Sequence, residues 1–364
     1  MNDPTDQLRK ELLDSIRRAL RVRRPILTHI NADTTWLIQL PYPRNAVTPL
    51  GRLHYNVLID PWLQGSQSDV ASWFSKQWHA IDSSVQTIAE LNERLQEVEE
   101  LAGASQSGPI ERVLSGAAKL PRNFIDAVVL SHEFTDHTHE QTLKQIESTT
   151  PVFATQKAAE LVRSWGYFDS VSVTPNFSGQ NSNWKDSAVE TLPSWLNISR
   201  IVTKNDSLYY HSAILIGFDL DGKGKLEVSE GDASAEAIIY TPHGIRPDDL
   251  SPMPNAVPPI RTLALLHGLH DVGISFTKQL NLGATSGLRA QRICGAKYWV
   301  STHDEIKRSA GFIAPFLRRK VWTVKEALEM EKEEKGYIPE SSSLAGLEGV
   351  RFAELQSGES LLLE

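Results

Sequence analysis

One short segment concentrates the chemistry of this chain. SHEFTDH (131–137) holds His132, Asp136 and His137, two imidazoles and a carboxylate of the kind that bind a divalent cation through N and O. A loop, unlike a helix, lets near neighbours turn toward one ion. Three more histidines stand beside apolar runs: His211 opens SAILI, His243 follows AIIYTP and His303 follows KYWVST. Side-by-side parallel strands would bring such ends to one edge of a sheet. A cation held there lowers the pKa of a bound water toward neutrality and delivers hydroxide at physiological pH. One histidine at a strand end is usually a hydrogen-bonded structural residue. Its recurrence in four strand-and-loop contexts carries the expectation of a metal site.

The elements around these residues are read from periodicity. ILTHINADTTWLIQL (26–40) and LHYNVLIDPWL (53–63) alternate as strands, the second stopped by Asp-Pro, with a hairpin-like loop between them. Ile125 to Leu130 is a short apolar strand leading straight into SHEFTDH. Thr138 through Gln141 fits a capping box, which makes that segment a strand-to-helix loop at a strand's carboxyl end, where open α/β sheets bind ligands. PVFAT (151–155) and VSVTP (171–175) are strands around the helix QKAAELVRSWG (156–166). Later strands are ISRIVT, LYYHSAILIGFDL, EAIIYTPHGI, TLALLHGLHD and KYWVSTHDE, with a turn at DGKGK (221–225) and a helix across LRAQRICGA. Residues 5–24 read as a helix packed on the body rather than lying on a membrane. Residues 80–102 read as a helical insertion, EALEMEKEEK (326–335) as a solvated helix, and 350–364 as a terminal hairpin. No fixed-period repeat appears, which excludes a solenoid.

Composition narrows the class. The chain has 364 residues, 40% hydrophobic and 23% charged, enough for a sizeable core. Cys294 is its one cysteine, so neither a disulfide framework nor a Cys₄ zinc site is available. No run of 18 apolar residues suggests a membrane span, and MNDPTDQLRK lacks the apolar stretch of a secretory signal. The formal charge of −8 argues against coating nucleic acid. The expectation is a cytoplasmic protein with a small-molecule substrate, no nucleic-acid partner and no stable membrane insertion. No G-x-S-x-G or G-x-G-x-x-G motif supports a serine hydrolase or a dinucleotide site.

LIDPWL (58–63), VVLSHEFTDH (128–137), YYHSAILIGF (209–218), EAIIYTPHG (236–244) and KYWVSTHDE (297–305) together resemble the metallo-β-lactamase superfamily, over roughly residues 26–310. The likeness is greatest to the branch with ascorbate-6-phosphate lactonase and the N-acyl-phosphatidylethanolamine-hydrolysing phospholipases. SHEFTDH and LALLHGLHD also resemble a fungal subgroup. The resemblance implies an α/β fold, a four-layer αββα sandwich with helical additions at the N-terminus and at 80–102. It divides the chain into an N-terminal helix (1–25), the main domain (26–323), and a C-terminal helix and strands (324–364) that complete the same domain. It implies metal ligation by His132, Asp136, His137, His211, His243 and His303, with Asp60 as a buried structural aspartate.

Two positions depart from the family pattern. Phe134 stands where S-H-x-H-x-D-H has its second histidine, and His243 stands where the family usually has a bridging aspartate. A phenyl ring cannot coordinate, and a neutral imidazole does not bridge two ions as a carboxylate does. One Zn²⁺ is therefore expected rather than two, held by Asp136, His137, His303 and His243. Fe²⁺ or Mn²⁺ suits the same donors. The expected function is a metal-dependent hydrolase of an ester, lactone, lactam or phosphodiester, with Asp136 orienting the hydroxide and His270 as a general acid. The same departures motivate an alternative, a binding or regulatory protein on a degenerate scaffold. His139 and Glu133 are expected near the site but outside the ligand set. Trp62, Trp73, Trp78 and Trp184 are expected in loops, packing or lining an apolar pocket.

Overall fold

Strand formers gather where the chain alternates or runs apolar, and in the computed structural model they pair into two large sheets. The structure describes residues 14, 16–49, 52–68, 71, 73–106, 123–177, 183–185, 189–203, 210–220, 235–257, 259–274, 278–334 and 351–364. In chain order the strands are β1 (Ile26–His29), β2 (Trp36–Pro41), β3 (His54–Ile59), β4 (Ser66–Gln67), β5 (Lys76–Trp78), β6 (Ala127–Leu130), β7 (Val152–Ala154), β8 (Val171–Val173), β9 (Leu196–Val202), β10 (Ser212–Phe218), β11 (Ala235–Thr241), β12 (Ile260–His267), β13 (Asp271–Ile274), β14 (Lys278–Asn281), β15 (Tyr298–Val300), β16 (Arg308–Ala310), β17 (Leu317–Lys320), β18 (Arg351–Ala353) and β19 (Ser360–Leu362). The helices are α1 (Ile88–Gln106), α2 (Glu140–Leu143), α3 (Gln156–Ser164), α4 (Ala284–Cys294) and α5 (Val324–Glu334). The first sheet runs β19-β1-β2-β3-β6-β7-β8 and the second β18-β15-β12-β11-β10-β9.

Period-two alternation distributes each strand between two cores. Ile38, Val57, Ile59 and Val129 of the first sheet meet Ile214, Ile216, Ile238, Tyr240 and Leu266 of the second in one buried cluster. Their neighbours Leu37, Leu58, Val128 and Leu130 face outward onto Leu91 and Leu95 of α1 and Ala158 and Val162 of α3. On the far side, Leu215, Ile239 and Leu265 meet Ala290 and Cys294 of α4. Strands such as AVVL are buried on both faces, which is why they read as unbroken apolar runs. The result is the expected four-layer αββα sandwich.

Several expectations need correcting. The span 26–40 is two strands, not one. Asn31 Oδ1 accepts from the backbone N–H of Asp33 and Thr35, both at 2.9 Å, an Asx-type turn that folds β1 back onto β2. Helix α1 begins at Ile88 and is the outer layer of the first sheet rather than an addition to it. The terminal segment is not a hairpin. β18 joins β15 in parallel and β19 joins β1 antiparallel, so the chain end stitches the edges of both sheets, with Leu363 buried in the core between them. Each edge offers unpaired backbone groups and apolar cover, which a free hairpin would not. Of the helix expected over 5–24, residues 14 and 16–24 are described; 14 and 16–21 are helical, and the helix ends before Val22. The DGKGK turn lies outside the described residues. Among the described residues no helix is long and apolar enough to cross a membrane.

Leu363 is fully buried although second from the chain end. Leu363→Ala is expected to cost about 2–5 kcal/mol, measured as a lower midpoint of urea unfolding. A loss under about 0.5 kcal/mol, the size of a surface substitution, would show that the terminal strand is not part of the cooperative core.

Candidate metal centre

Strands β3 and β6 run parallel, and their carboxyl ends place Asp60 beside Ser131. Asp60 has a left-handed backbone (φ 44°), rare for a non-glycine residue and costly unless its surroundings hold it. Four donors hold it. The Ser131 N–H donates to Oδ1 at 2.8 Å. Oδ2 receives the Ser131 hydroxyl, Tyr240 Oη at 2.8 Å and His137 Nδ1 at 2.7 Å. Asp60 is the buried structural aspartate that the resemblance implies, and it fixes the tautomer of His137 with Nε2 free to face inward. Burial and the negative Asp60 push the Tyr240 hydroxyl well above its ordinary pKa, so it stays a donor.

The second sheet supplies the opposite wall. β11, β12 and β15 are parallel, so His243, just beyond β11, and His303, just beyond β15, reach the same edge. His243 donates from Nδ1 to Asn281 Oδ1 at 2.9 Å. Gly244 turns the chain behind it at φ 78°, where a Cβ would lie 2.7 Å from that of Leu282. His303, also left-handed (φ 58°), donates from Nδ1 to Asp33 Oδ1 at 2.9 Å. Thus three imidazoles each donate one N–H to a protein oxygen and turn the other nitrogen inward, the orienting arrangement of metal-binding histidines.

The inward nitrogens converge. His137 Nε2 and His243 Nε2 are 3.1 Å apart. Asp136 Oδ1 lies 3.7 Å from His137 Nε2, and His303 Nε2 lies 4.0 Å from Asp136 Oδ2. Two sets of donors lie within 4.8 Å of one another, His132–His137–His243 and Asp136–His137–His303, with His137 in both. Ligand bonds of about 2.0–2.1 Å put two nitrogens of one ion about 3.0–3.5 Å apart, which matches the His137–His243 contact. The ring centroids of His132, His137, His243 and His303 are spaced 4.6–5.3 Å where neighbours meet. Each set therefore offers donors that could hold a cation, and His137 is common to both.

Electrostatics agree. Burial, and then the neighbouring imidazoles, hold His243 well below its ordinary pKa. Burial, then His137 and Arg200, do the same for His132, so both stay neutral as ligation requires. Burial would lower His137, but Asp136 and Asp60 outweigh it and raise it. Asp136 is pushed up by burial and pulled down further by Lys307, His137 and His303, ending well below the carboxylate range.

The other expected residues sort differently. His132 donates from Nε2 to the Tyr210 carbonyl at 3.1 Å and sets Nδ1 3.0 Å from Ser131 Oγ, whose own proton goes to Asp60; it belongs to the donor set with His137 and His243. His211 belongs to neither donor set; it lies close enough to His267 to influence it electrostatically. Phe134 forms the wall, stacked on Tyr210 at 5.2 Å and on His132 at 5.8 Å. Thr138 does not cap a helix: its hydroxyl donates to the His132 carbonyl at 2.6 Å and closes the loop on itself, while α2 starts after His139 with no side-chain cap. His139 is buried against Trp62 and bonded to Thr142, and Glu133 pairs with Lys157 at 3.6 Å. His270 takes a hydrogen bond from Arg319 at 2.7 Å and faces Asp304 at 3.6 Å, so neither contact reaches the donor sets. Trp62 and Trp184 are core residues, whereas Trp73 is 71% exposed.

Sequence reasoning passed over Asp33, Asn281 and Lys307. Asn31-x-Asp33 did carry a signal, the Asx turn of a hairpin. Lys307 carried none, since a lysine in a polar loop reads as solvated. Its ammonium lies 2.7 Å from both Asp33 Oδ2 and Asp136 Oδ2, and the side chain is 6% exposed.

No protein-family model matches the chain, and no curated protein matches it. Among solved structures it is similar to the isothiocyanate hydrolase from Delia radicum gut bacteria (14% identity, 92% of this chain and 98% of that one, TM-score 0.46). It is also similar to "a possible metal-dependent hydrolase" from Veillonella parvula (11%, 93% and 100%, TM-score 0.49), and to the metallo-β-lactamase fold protein YhfI from Bacillus subtilis (14%, 93% and 99%, TM-score 0.40). These likenesses are distant, and the chemistry rests on the chain's own residues.

Two outcomes are expected. Asp60→Asn should weaken Zn²⁺ binding about 10- to 100-fold, read by competition with a chromophoric chelator; unchanged affinity would show that Asp60 does not orient His137. The second concerns pH in the metal-free protein. Burial lowers the pKa of His29 and His267, and takes His139 down to about 4. The unfolded chain therefore binds these protons first, so their contribution is complete above about pH 6.5 and is lost as pH falls toward 4. The urea midpoint in chelator should fall across that window; a flat profile would contradict the burial of these rings.

Proposed function

We propose that this protein is a hydrolase that works through one bound divalent cation, Zn²⁺ being the ion its donors suit best. The observation that carries the reading is the convergence of His137 and His243 at 3.1 Å, each with its outer nitrogen committed to a protein oxygen. Asp136, His137, His243 and His303 would hold the ion, with His132 closing the wall beside them. Such an ion supplies hydroxide from its bound water near neutral pH.

The chain's own residues divide the work. Asp60 and Asn281 keep the imidazoles of His137 and His243 oriented. Asp136, an ionised carboxylate next to His137, would help hold the ion and orient water bound to it. Phe134 and Tyr210 keep one wall apolar, which strengthens electrostatic stabilisation of charge developing on the substrate. A cavity of about 280 Å³ lies beside His132, with Glu133, Lys157 and Arg200 in its lining, a volume suited to a small molecule. Esters, lactones, lactams and phosphodiesters all answer to a cation-activated water. His270, held by Arg319, would reach a leaving group only from outside the donor sets. The resemblance of VVLSHEFTDH and KYWVSTHDE to metallo-β-lactamase motifs points the same way. The cytoplasm is the proposed location, in keeping with a single cysteine that has no partner for a disulfide.

The test is metal content joined to turnover. Wild type loaded with Zn²⁺ and desalted should retain about one equivalent and hydrolyse at least one generic ester, lactone or phosphodiester. His137→Ala should lose the metal and at least about 100-fold in kcat/KM. Less than a tenth of an equivalent in wild type would sink the metal reading. Full metal without any hydrolysis would favour the alternative, a ligand-binding protein on a scaffold that Phe134 has disabled.

A further inference from the structure

Two buried carboxylates converge a few ångströms from the imidazole ring. Asp33 is brought there by the β1–β2 turn and fully buried, and Asp136 by the 131–137 loop. Thr34 ties the two segments together, donating to the Asp136 carbonyl at 2.7 Å. Buried like charges this close are costly without a compensating cation. Two carboxylates facing one point are donors that a divalent cation would take. Here the place is taken by the chain. Lys307 Nζ lies 2.7 Å from Oδ2 of each, over the ring of Trp62 at 5.2 Å, whose own side chain is wholly buried.

We infer that Lys307 is a resident cation that fills a second metal position and limits the centre to one ion. This inference rests on the proposed metal-dependent function. Lys307 uses Asp136 Oδ2 and leaves Oδ1, 3.7 Å from His137 Nε2, for the ion. Its single charge balances one of the two carboxylates, so the pair keeps one net negative charge beside the bound divalent cation. Asp33 spans both parts: Oδ1 orients His303, and Oδ2 is ion-paired with the ammonium, whose hydrogen bond goes to Asp136. Lys307 is a positioning residue by this account, because it acts through Asp33 and Asp136.

The experiment counts metal. Wild type, Lys307→Met and Lys307→Met/Asp33→Asn are titrated with Zn²⁺, desalted and analysed for metal and protein. The expected counts are one equivalent, two equivalents and one equivalent. Zn²⁺ should also raise the melting temperature of Lys307→Met more than that of wild type, since the ion restores the missing charge. Two equivalents in wild type, or one in Lys307→Met, would overturn the inference and leave the metal reading standing. No bound metal in wild type would instead overturn the metal reading, and with it this one. Should Lys307→Met not fold, Lys307→Gln is titrated with Co²⁺ instead: visible absorption saturating at two equivalents supports the inference, and at one it refutes it.

Discussion

Two imidazole nitrogens facing each other at 3.1 Å are the constraint around which this molecule is arranged. Each ring has given its other N–H away, His137 to Asp60 and His243 to Asn281. Two lone pairs cannot sit so close without a positive charge between them. Asp136 and Asp60 raise the pKa of His137 against its burial, while burial and the neighbouring imidazoles depress that of His243. A divalent cation satisfies the contact between the two rings. The protein thus holds, among buried side chains, a cluster of N and O donors that could take a cation.

Keeping that gap open demands rigid support from both sheets. Asp60 lies at the end of β3 and receives hydrogen bonds from Ser131 after β6 and from Tyr240 of β11. One carboxylate therefore ties the first sheet to the second at the height of the site. The φ values of 44° at Asp60 and 58° at His303 are the local cost, offset by the hydrogen bonds that each residue makes. Adjacent parallel strands explain why so many functional side chains meet. The strands end at nearly the same level, so the loops that leave them project into one shared space.

Charge is balanced as tightly as shape. Burial alone would push Asp33 up, yet His303 and Lys307 hold it below the ordinary carboxylate range. Burial would lower the Lys307 ammonium, yet Asp136 and Asp33 raise it. Each group stays charged because the others are. Such a network loses far more from the removal of one member than any surface pair would.

Alternation and apolar runs in the chain marked most of the long strands, because they are local properties that packing only exploits, while the four layers followed from the resemblance to a known fold. It also marked His132, Asp136, His137, His243 and His303, because short strand-to-loop steps are legible in a single segment. Tertiary structure decided the rest. Whether His211 joins the ring depends on where β10 starts relative to its neighbours, a matter of register between distant segments. Thr138 looked like a helix cap, but its hydroxyl had a nearer acceptor in the His132 carbonyl. The terminal strands looked like a hairpin until two open sheet edges competed for them. Lys307 is 171 residues from Asp136, Asp33 is 270 from His303, and Asn281 is 38 from His243. No pattern along the chain links these partners, since ion pairing and hydrogen bonding depend on distance in space, and only the folded sheets set that distance.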